Sequence, residues 1–247
     1  MSTLLDTNKV PAGHATPPPT TLPSPKQRRY RWGRVLTWLA GLFLLVLALY
    51  FTLALPWLSR WGATTAEVQQ PMPGDELVPQ PVFVTTKAVT IHAPPAAIWP
   101  WLVQLGVDRG GMYSYLWVEN WLLRLNVTNT EEIRPEWQPI AVGDFLRFTP
   151  KEYPLNPGPG LYVKQIEPNR TLVACFGMEN TPPDCTYIWQ FLLAPQPDGS
   201  TRLLLRGTQP AATSWLADGV SKVVQAFPFY MERKMLLTLK ERAEGMP

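Results

Sequence analysis

Val35 to Leu55 (VLTWLAGLFLLVLALYFTLAL) constrains this chain more than any other stretch, because 21 consecutive residues carry no charge. At ~1.5 Å of rise per residue, a helix of that length covers the ~30 Å hydrocarbon core of a bilayer. Thr37 and Thr52 are its plainly polar residues, and their hydroxyls can bond back to the preceding turn. A buried core helix is more often shorter and carries a polar stripe. Lys26, Arg28, Arg29, Arg31 and Arg34 precede the stretch, and Trp32, Trp57 and Trp61 stand where interfacial aromatics belong. The sequence therefore predicts one transmembrane helix over residues 35–55.

Charge supplies an orientation. Residues 1–34 hold six Lys/Arg against the single acid Asp6, a balance of +5, whereas everything from Val35 onward sums to −2. The positive-inside rule places the N-terminus in the cytoplasm and the C-terminal domain outside it. The basic cluster beside an apolar span favours anionic lipid of the bilayer as its partner and argues against nucleic acid. The apolar run is too long and starts too late for a cleaved signal peptide, and no small-residue cleavage site follows it, so an uncleaved signal anchor is expected.

Residues 1–25 are rich in Pro and Thr and short of large apolar side chains, so residues 1–34 read as a disordered basic tail. Residues 56–80 read as a linker that holds the next domain a short distance from the bilayer. Residues 81–247 are long enough for one domain with its own core.

Within that domain, Pro81–His92 reads as a strand with a bulge near Thr86-Lys87, because its apolar residues alternate imperfectly. Ala96–Leu105 reads as a short helix kinked by Pro100, and Tyr113–Leu125 as a second. Five strands follow near residues 144–149, 161–167, 171–176, 185–194 and 201–207, and their short turns imply an antiparallel meander. Leu216, Val220, Val223, Phe227, Met231, Met235 and Leu239 then make one apolar stripe on a helix from Thr213 to about Glu244, kinked at Pro228. The predicted class is α+β: a curved antiparallel sheet wrapped around the long C-terminal helix, with a cavity left between them under the short helices.

The stretch AVTIHAPPAAIWPWLVQLGVDRGGMYSYLWVENWL (residues 88–122) resembles the START-like, or SRPBCC, superfamily, which includes polyketide-cyclase-like and lipid-transfer proteins. The block DRGGMYSYLWVEN is most similar to that of a bacterial branch of the superfamily, and the last segment, FYMERKMLLTLKERAE (residues 229–244), resembles the closing helix of that branch. The resemblance spans about residues 83–244 and implies a helix-grip fold with an apolar cavity. It does not choose among carrier, cyclase and receptor.

The block Arg109–Asn120 is the first candidate site. Arg109 can meet an anionic head group, Tyr113, Tyr115 and Trp117 offer apolar surface with polar handles, and Glu119 and Asn120 can orient a ligand. The alternative is that the aromatics are core and Arg109 pairs with Asp108 or Glu119. Trp189, Arg147 and Arg206, read as inward-facing strand residues, and Trp137 complete the ligand-binding set; alternatively each arginine points to solvent. Cys175 and Cys185 flank the turn at 177–184 symmetrically. In a hairpin centred near Asn180 they fall opposite each other, as a cross-strand disulfide or as two buried thiols.

No metal-ligand spacing, phosphate loop, GxSxG or HExxH occurs, so no metal, cofactor or catalytic constellation is expected. Nothing in the sequence points to a protein partner. The expected function is a membrane-anchored domain binding a small hydrophobic or lipid-like ligand. The alternatives are a cyclase- or hydrolase-type enzyme using the same cavity and a closed-core interaction domain.

Overall fold

The computed structural model describes residues 25–181, 185, 187–209 and 214–245, with side chains from residue 32 onward. The expectations for the tail up to residue 24, for much of the turn before Cys185 and for a helix start at Thr213 lie outside the described residues. The chain divides into two compact units, residues 1–48 and 49–247.

In the first unit the described residues belong to helix α1 (Pro25–Leu49). The helix starts ten residues before the predicted span, so residues 25–34 are helical rather than part of an irregular tail. Helical backbone continues through a π turn at Tyr50–Ala54 into α2 (Leu55–Ser59). The run Trp32–Ser59, 28 residues, is long and apolar enough to cross a membrane by length and composition.

The second unit is built on a six-stranded antiparallel sheet: β1 (Phe83–Ile91), β2 (Phe145–Arg147), β3 (Pro159–Glu167), β4 (Thr171–Met178), β5 (Ile188–Pro195) and β6 (Thr201–Gln209). Its order, β1-β6-β5-β4-β3-β2, makes β2 to β6 the expected meander and closes β1 onto β6. The sheet is curved, and α4 (Pro95–Val103), α5 (Trp215–Val224) and α6 (Ala226–Glu244) complete a helix-grip α+β fold. One core joins Ile98, Trp101 and Leu102 of α4, Met235, Leu236 and Leu239 of α6, and inward strand residues such as Val163, Phe191 and Leu205.

Three local expectations change. Strand β1 runs in unbroken register against β6 from Phe83↔Gln209 to Ile91↔Thr201, and the sheet's bulge lies in β3 between Val163 and Gln165. The imperfect alternation of β1 has another cause, since residues 85–89 are all buried. The segment expected to be a spacer covers the outer face of the sheet. The Ala88 amide donates to the Trp61 carbonyl at 3.0 Å, and Gln190 Nε2 donates to the Pro73 carbonyl at 3.0 Å and to Asp75 Oδ1 at 2.7 Å. Helix α3 (Thr65–Gln69) within it starts on a Thr64–Glu67 capping box, and Glu67 pairs with Arg202 at 2.6 Å.

The third change is in the C-terminal helix, which is two helices. Pro228 lacks the N–H that would bond the Val224 carbonyl, and its ring would clash there, so α5 ends at Val224 and α6 begins at Ala226. The apolar stripe divides with it. Met235 and Leu239 are buried, whereas Leu216, Val220 and Val223 stay exposed on α5.

Candidate functional site

A cavity of about 230 Å³ lies between the sheet, α6 and the segment 112–125. Trp189 of β5 and Phe148 form its sheet wall, Phe227, Pro228, Met231, Glu232 and Met235 come from α6, and Met112, Ser114, Glu119, Leu123 and Leu125 form the third side. The wall is apolar apart from Ser114, Glu119 and Glu232. A more polar groove around Arg124, Asn126, Glu152 and Tyr153 shares only Leu125 with it.

The third side is not the regular helix predicted for residues 113–125. Tyr113 is fully buried with φ +54°, a left-handed conformation that is rare for a bulky side chain. Two amides hold it there: Gln104 Nε2 donates to the Tyr113 hydroxyl at 2.7 Å, and the Tyr113 N–H donates to Asn129 Oδ1 at 2.9 Å. Burial pushes the Tyr113 hydroxyl up to about 12, so it stays protonated. Gly110 and Gly111 let this turn close. A Cβ on Gly110 would stand 2.5 Å from the Tyr113 hydroxyl, and Gly111 has φ +93°. Val118–Leu122 then form a π turn, whose extra residue per turn re-aims side chains. Asn120 pins it, accepting from the Val127 amide at 2.7 Å and donating to the Val127 carbonyl at 2.8 Å.

Glu119 rides on that π turn. It is 2% exposed, lines the cavity, and neither carboxyl oxygen has a hydrogen-bond partner among the described residues. Burial pushes its pKa up from the ordinary 4.5. The nearby Ser114 hydroxyl opposes the rise, but it is directed at Met231 Sδ at 3.2 Å.

Glu232 is the opposite case. Lys87 Nζ meets Glu232 Oε2 at 2.6 Å with both side chains almost fully buried, and Lys87 also donates to Thr85 Oγ1 at 3.0 Å. The Tyr187 hydroxyl donates to Glu232 Oε1 at 3.3 Å and accepts from Trp189 Nε1 at 2.9 Å. Burial first, then the Glu232 carboxylate, push the Tyr187 hydroxyl well above its ordinary range, which keeps that proton in place. The cavity thus carries one balanced ion pair and one carboxyl without a hydrogen-bond partner among the described residues.

Of the predicted ligand residues, Glu119 and Trp189 line this cavity. Tyr113 is packed behind it. Tyr115 stacks on Tyr230 with centroids 4.2 Å apart, and Trp117 is exposed. Asn120 is spent on Val127. Arg109 donates to the Trp137 and Pro139 carbonyls, and Trp137 sits under the Arg134 guanidinium. The inward reading of the two strand arginines is corrected by strand alternation. Leu146 and Leu205 take the inward positions, so Arg147 turns out to Asp108 and Glu179. Arg206 turns out to Asp75 and to the carbonyls of Glu67, Val68 and Gln70. Arg109 pairs with neither Asp108 nor Glu119.

Lys87 and Glu232 were not singled out from the sequence, although a signal existed. Lys87 stands in the inward series of β1 with Val89 and Ile91. Glu232 stands in the buried series Phe229, Leu236, Leu239 and Ala243 of α6. A base and an acid each interrupting an apolar register are the mark of a buried pair.

Cys175 and Cys185 form a disulfide with Cα atoms 4.8 Å apart. The bond is the one expected, but the register is not. Cys175 pairs with Ile188, and Cys185 lies outside the ladder with φ +53°.

No family model matches the sequence, and no curated protein does. Among solved structures, the chain is similar to the self-sacrificing resistance protein CalC from Micromonospora echinospora at 11% identity and TM-score 0.41, covering 65% of this chain and 94% of that one. It is similar to Aha1 from Colwellia psychrerythraea at 15% identity and TM-score 0.38, covering 66% and 98%. It is also similar to Ara h 8.0201 at 12% identity and TM-score 0.37, covering 65% and 97%. The helix-grip assignment stands on the strand order and helix placement of the chain itself.

Proposed function

We propose that this protein is a membrane-anchored binding domain that holds a small apolar ligand between its sheet and α6. The supporting observation is the 230 Å³ cavity with its apolar wall. Apolar cavities of ~150 Å³ take up benzene, and by that ratio roughly nine non-hydrogen atoms fill this one. Burial of ligand surface at roughly 25 cal/mol per Å² supplies the affinity.

The apolar run Trp32–Ser59 supports the anchor, with the basic residues before it on the cytoplasmic side. The Cys175–Cys185 disulfide fits an extracytoplasmic domain. The Tyr50 hydroxyl donates to the Lys222 carbonyl at 2.8 Å, tying α5 to the end of the apolar run. Exposed Trp117, Trp121, Trp215, Leu216 and Val220 lie on the two segments that lead into the cavity wall, which favours exchange of ligand with lipid. A second reading, an enzyme using Glu119 as general acid, draws on the same unpaired carboxyl.

The test is native mass spectrometry with lipid extraction on the full chain released from nanodiscs, compared with Met231→Trp, which fills the cavity. The expected result is a stoichiometric apolar passenger in the wild type and its loss in the variant. A wild type without a passenger that also fails to take up a fluorescent fatty alcohol rejects the reading. Conversion of a bound passenger would move the enzyme ahead.

A further inference from the structure

The proposed carrier role leaves open what kind of head group the cavity accepts, and Glu119 bears directly on that. Glu119 is 2% exposed and lines a space large enough for a ligand, and both its carboxyl oxygens are buried without a partner among the described residues. A buried polar group left unmet is costly, and it becomes favourable when a ligand supplies the missing bond.

Three head groups can be weighed against the wall. A carboxylate would enter beside Glu232 and face Glu119, while the buried cation behind the wall, Lys87, is already taken by Glu232 at 2.6 Å. An ammonium would find a carboxylate only if Glu119 ionised, so two charges would have to leave water for one contact in an apolar space. A hydroxyl both donates and accepts, as a neutral carboxyl does, and it reproduces the bonds that water would make there. A hydrocarbon would leave the carboxyl unmet.

We propose that Glu119 is the recognition residue of the cavity and that it selects a small apolar alcohol, about nine non-hydrogen atoms ending in one neutral hydroxyl, over the corresponding carboxylate, ammonium or alkane. Ser114, on the same wall and directed at Met231 Sδ, can turn to share that hydroxyl. The proposal rests on the carrier reading and fixes its ligand class.

The cavity contains its own reporters. Met112, Met231 and Met235 line it, while Met72 is buried on the outer face of the sheet with Ala88 and Leu204. The experiment titrates the full chain in nanodiscs, labelled at its methionine methyls, with 1-octanol, octanoate, octylammonium and octane at matched free aqueous concentrations. In the wild type, octanol should shift the three cavity methyls with an apparent Kd at least tenfold below those of octanoate and octane, leaving Met72 in place. Glu119→Gln, whose amide still donates and accepts, should keep that preference; Glu119→Leu should bind octanol no better than octane. An unchanged Met72 signal shows that either variant is folded. Equal affinity for octanol and octane in the wild type, or an undiminished octanol preference in Glu119→Leu, overturns the proposal while leaving the carrier reading standing. Octylammonium binding tightest, and losing its advantage in Glu119→Gln, overturns it in favour of an ionised carboxylate. No shift of the cavity methyls with any of the four probes removes the carrier reading itself.

Discussion

Lys87→Met tests the buried ion pair, because it leaves Glu232 inside the domain without its cation. The pair is 2.6 Å apart with side chains 2% and 4% exposed. Removing one partner of such a pair costs about 3–5 kcal/mol, most of it the burden of an uncompensated buried charge. Two features place this site at the lower end. The Tyr187 hydroxyl still donates to Glu232 Oε1 at 3.3 Å, and Glu232 borders the cavity, where water can approach it. A loss of about 3 kcal/mol is therefore expected for Lys87→Met, with a similar loss for Glu232→Leu, which strands the ammonium on Thr85 Oγ1 alone. The double variant removes both charges and should lie within about 1 kcal/mol of the wild type. The coupling energy from the cycle should then be about 5 kcal/mol. Urea unfolding of the full chain in micelles, followed by tryptophan fluorescence, measures all four proteins. Additive single losses, or a Lys87→Met variant within 1 kcal/mol of wild type, would refute the reasoning, since neither is compatible with a desolvated pair.

Glu119 gives a pH dependence of definite sign. Its folded pKa is raised by burial, so the stability it contributes is fully present below its ordinary value of 4.5 and is lost as pH rises through the folded value. Glu119→Gln should flatten the unfolding midpoint between those limits and stabilise the chain at pH 7; parallel profiles for the two proteins would count against it. Replacing Cys175 and Cys185 with Ser opens a loop with a sequence separation of 10 and should cost about 2.7 kcal/mol, read as a lower midpoint that reducing agent no longer shifts. Gly111→Ala places a Cβ 2.6 Å from the Thr128 carbonyl at φ +93°, and a loss above about 2 kcal/mol in urea unfolding is expected.

What could be read in advance followed from periodicity and turn chemistry. Short Pro/Gly/Asn turns between Val- and Leu-rich runs announced the meander, and a 21-residue uncharged run announced the apolar helix. The two-faced burial of β1 was hidden because its cause lies elsewhere in the chain. Residues 61–77 read as a spacer by composition, yet they cover the outer face through backbone carbonyls offered to Arg206 and Gln190, and carbonyls leave no residue-type signature. Arg206 is met by those carbonyls and Arg147 by Asp108 and Glu179, and register with Leu146 and Leu205 puts both on the face away from the cavity, which a charge in a strand does not reveal by itself. Within the block 109–120, Glu119 is the one expected ligand residue that lines the cavity. The π turn that aims it depends on Asn120 reaching Val127, a contact that helical spacing does not predict.

The cavity itself traces to Pro228. An unbroken helix from residue 215 would carry Leu216, Val220, Val223 and Phe227 along the line of Met231 and Met235, toward the sheet. With no N–H to offer Val224, the proline ends α5 there, and α5 keeps none of its side chains buried. The space is instead bounded by Phe227, Pro228 and Met231 on one side and by the π turn on the other. The residue that breaks the helix therefore also lines the opening, and it leaves α5 as an amphipathic segment whose apolar Leu216, Val220 and Val223 are exposed among the described residues. Opening and exposed face both follow from the break at Pro228, and the Tyr50 hydroxyl caps the same end of α5 at the Lys222 carbonyl.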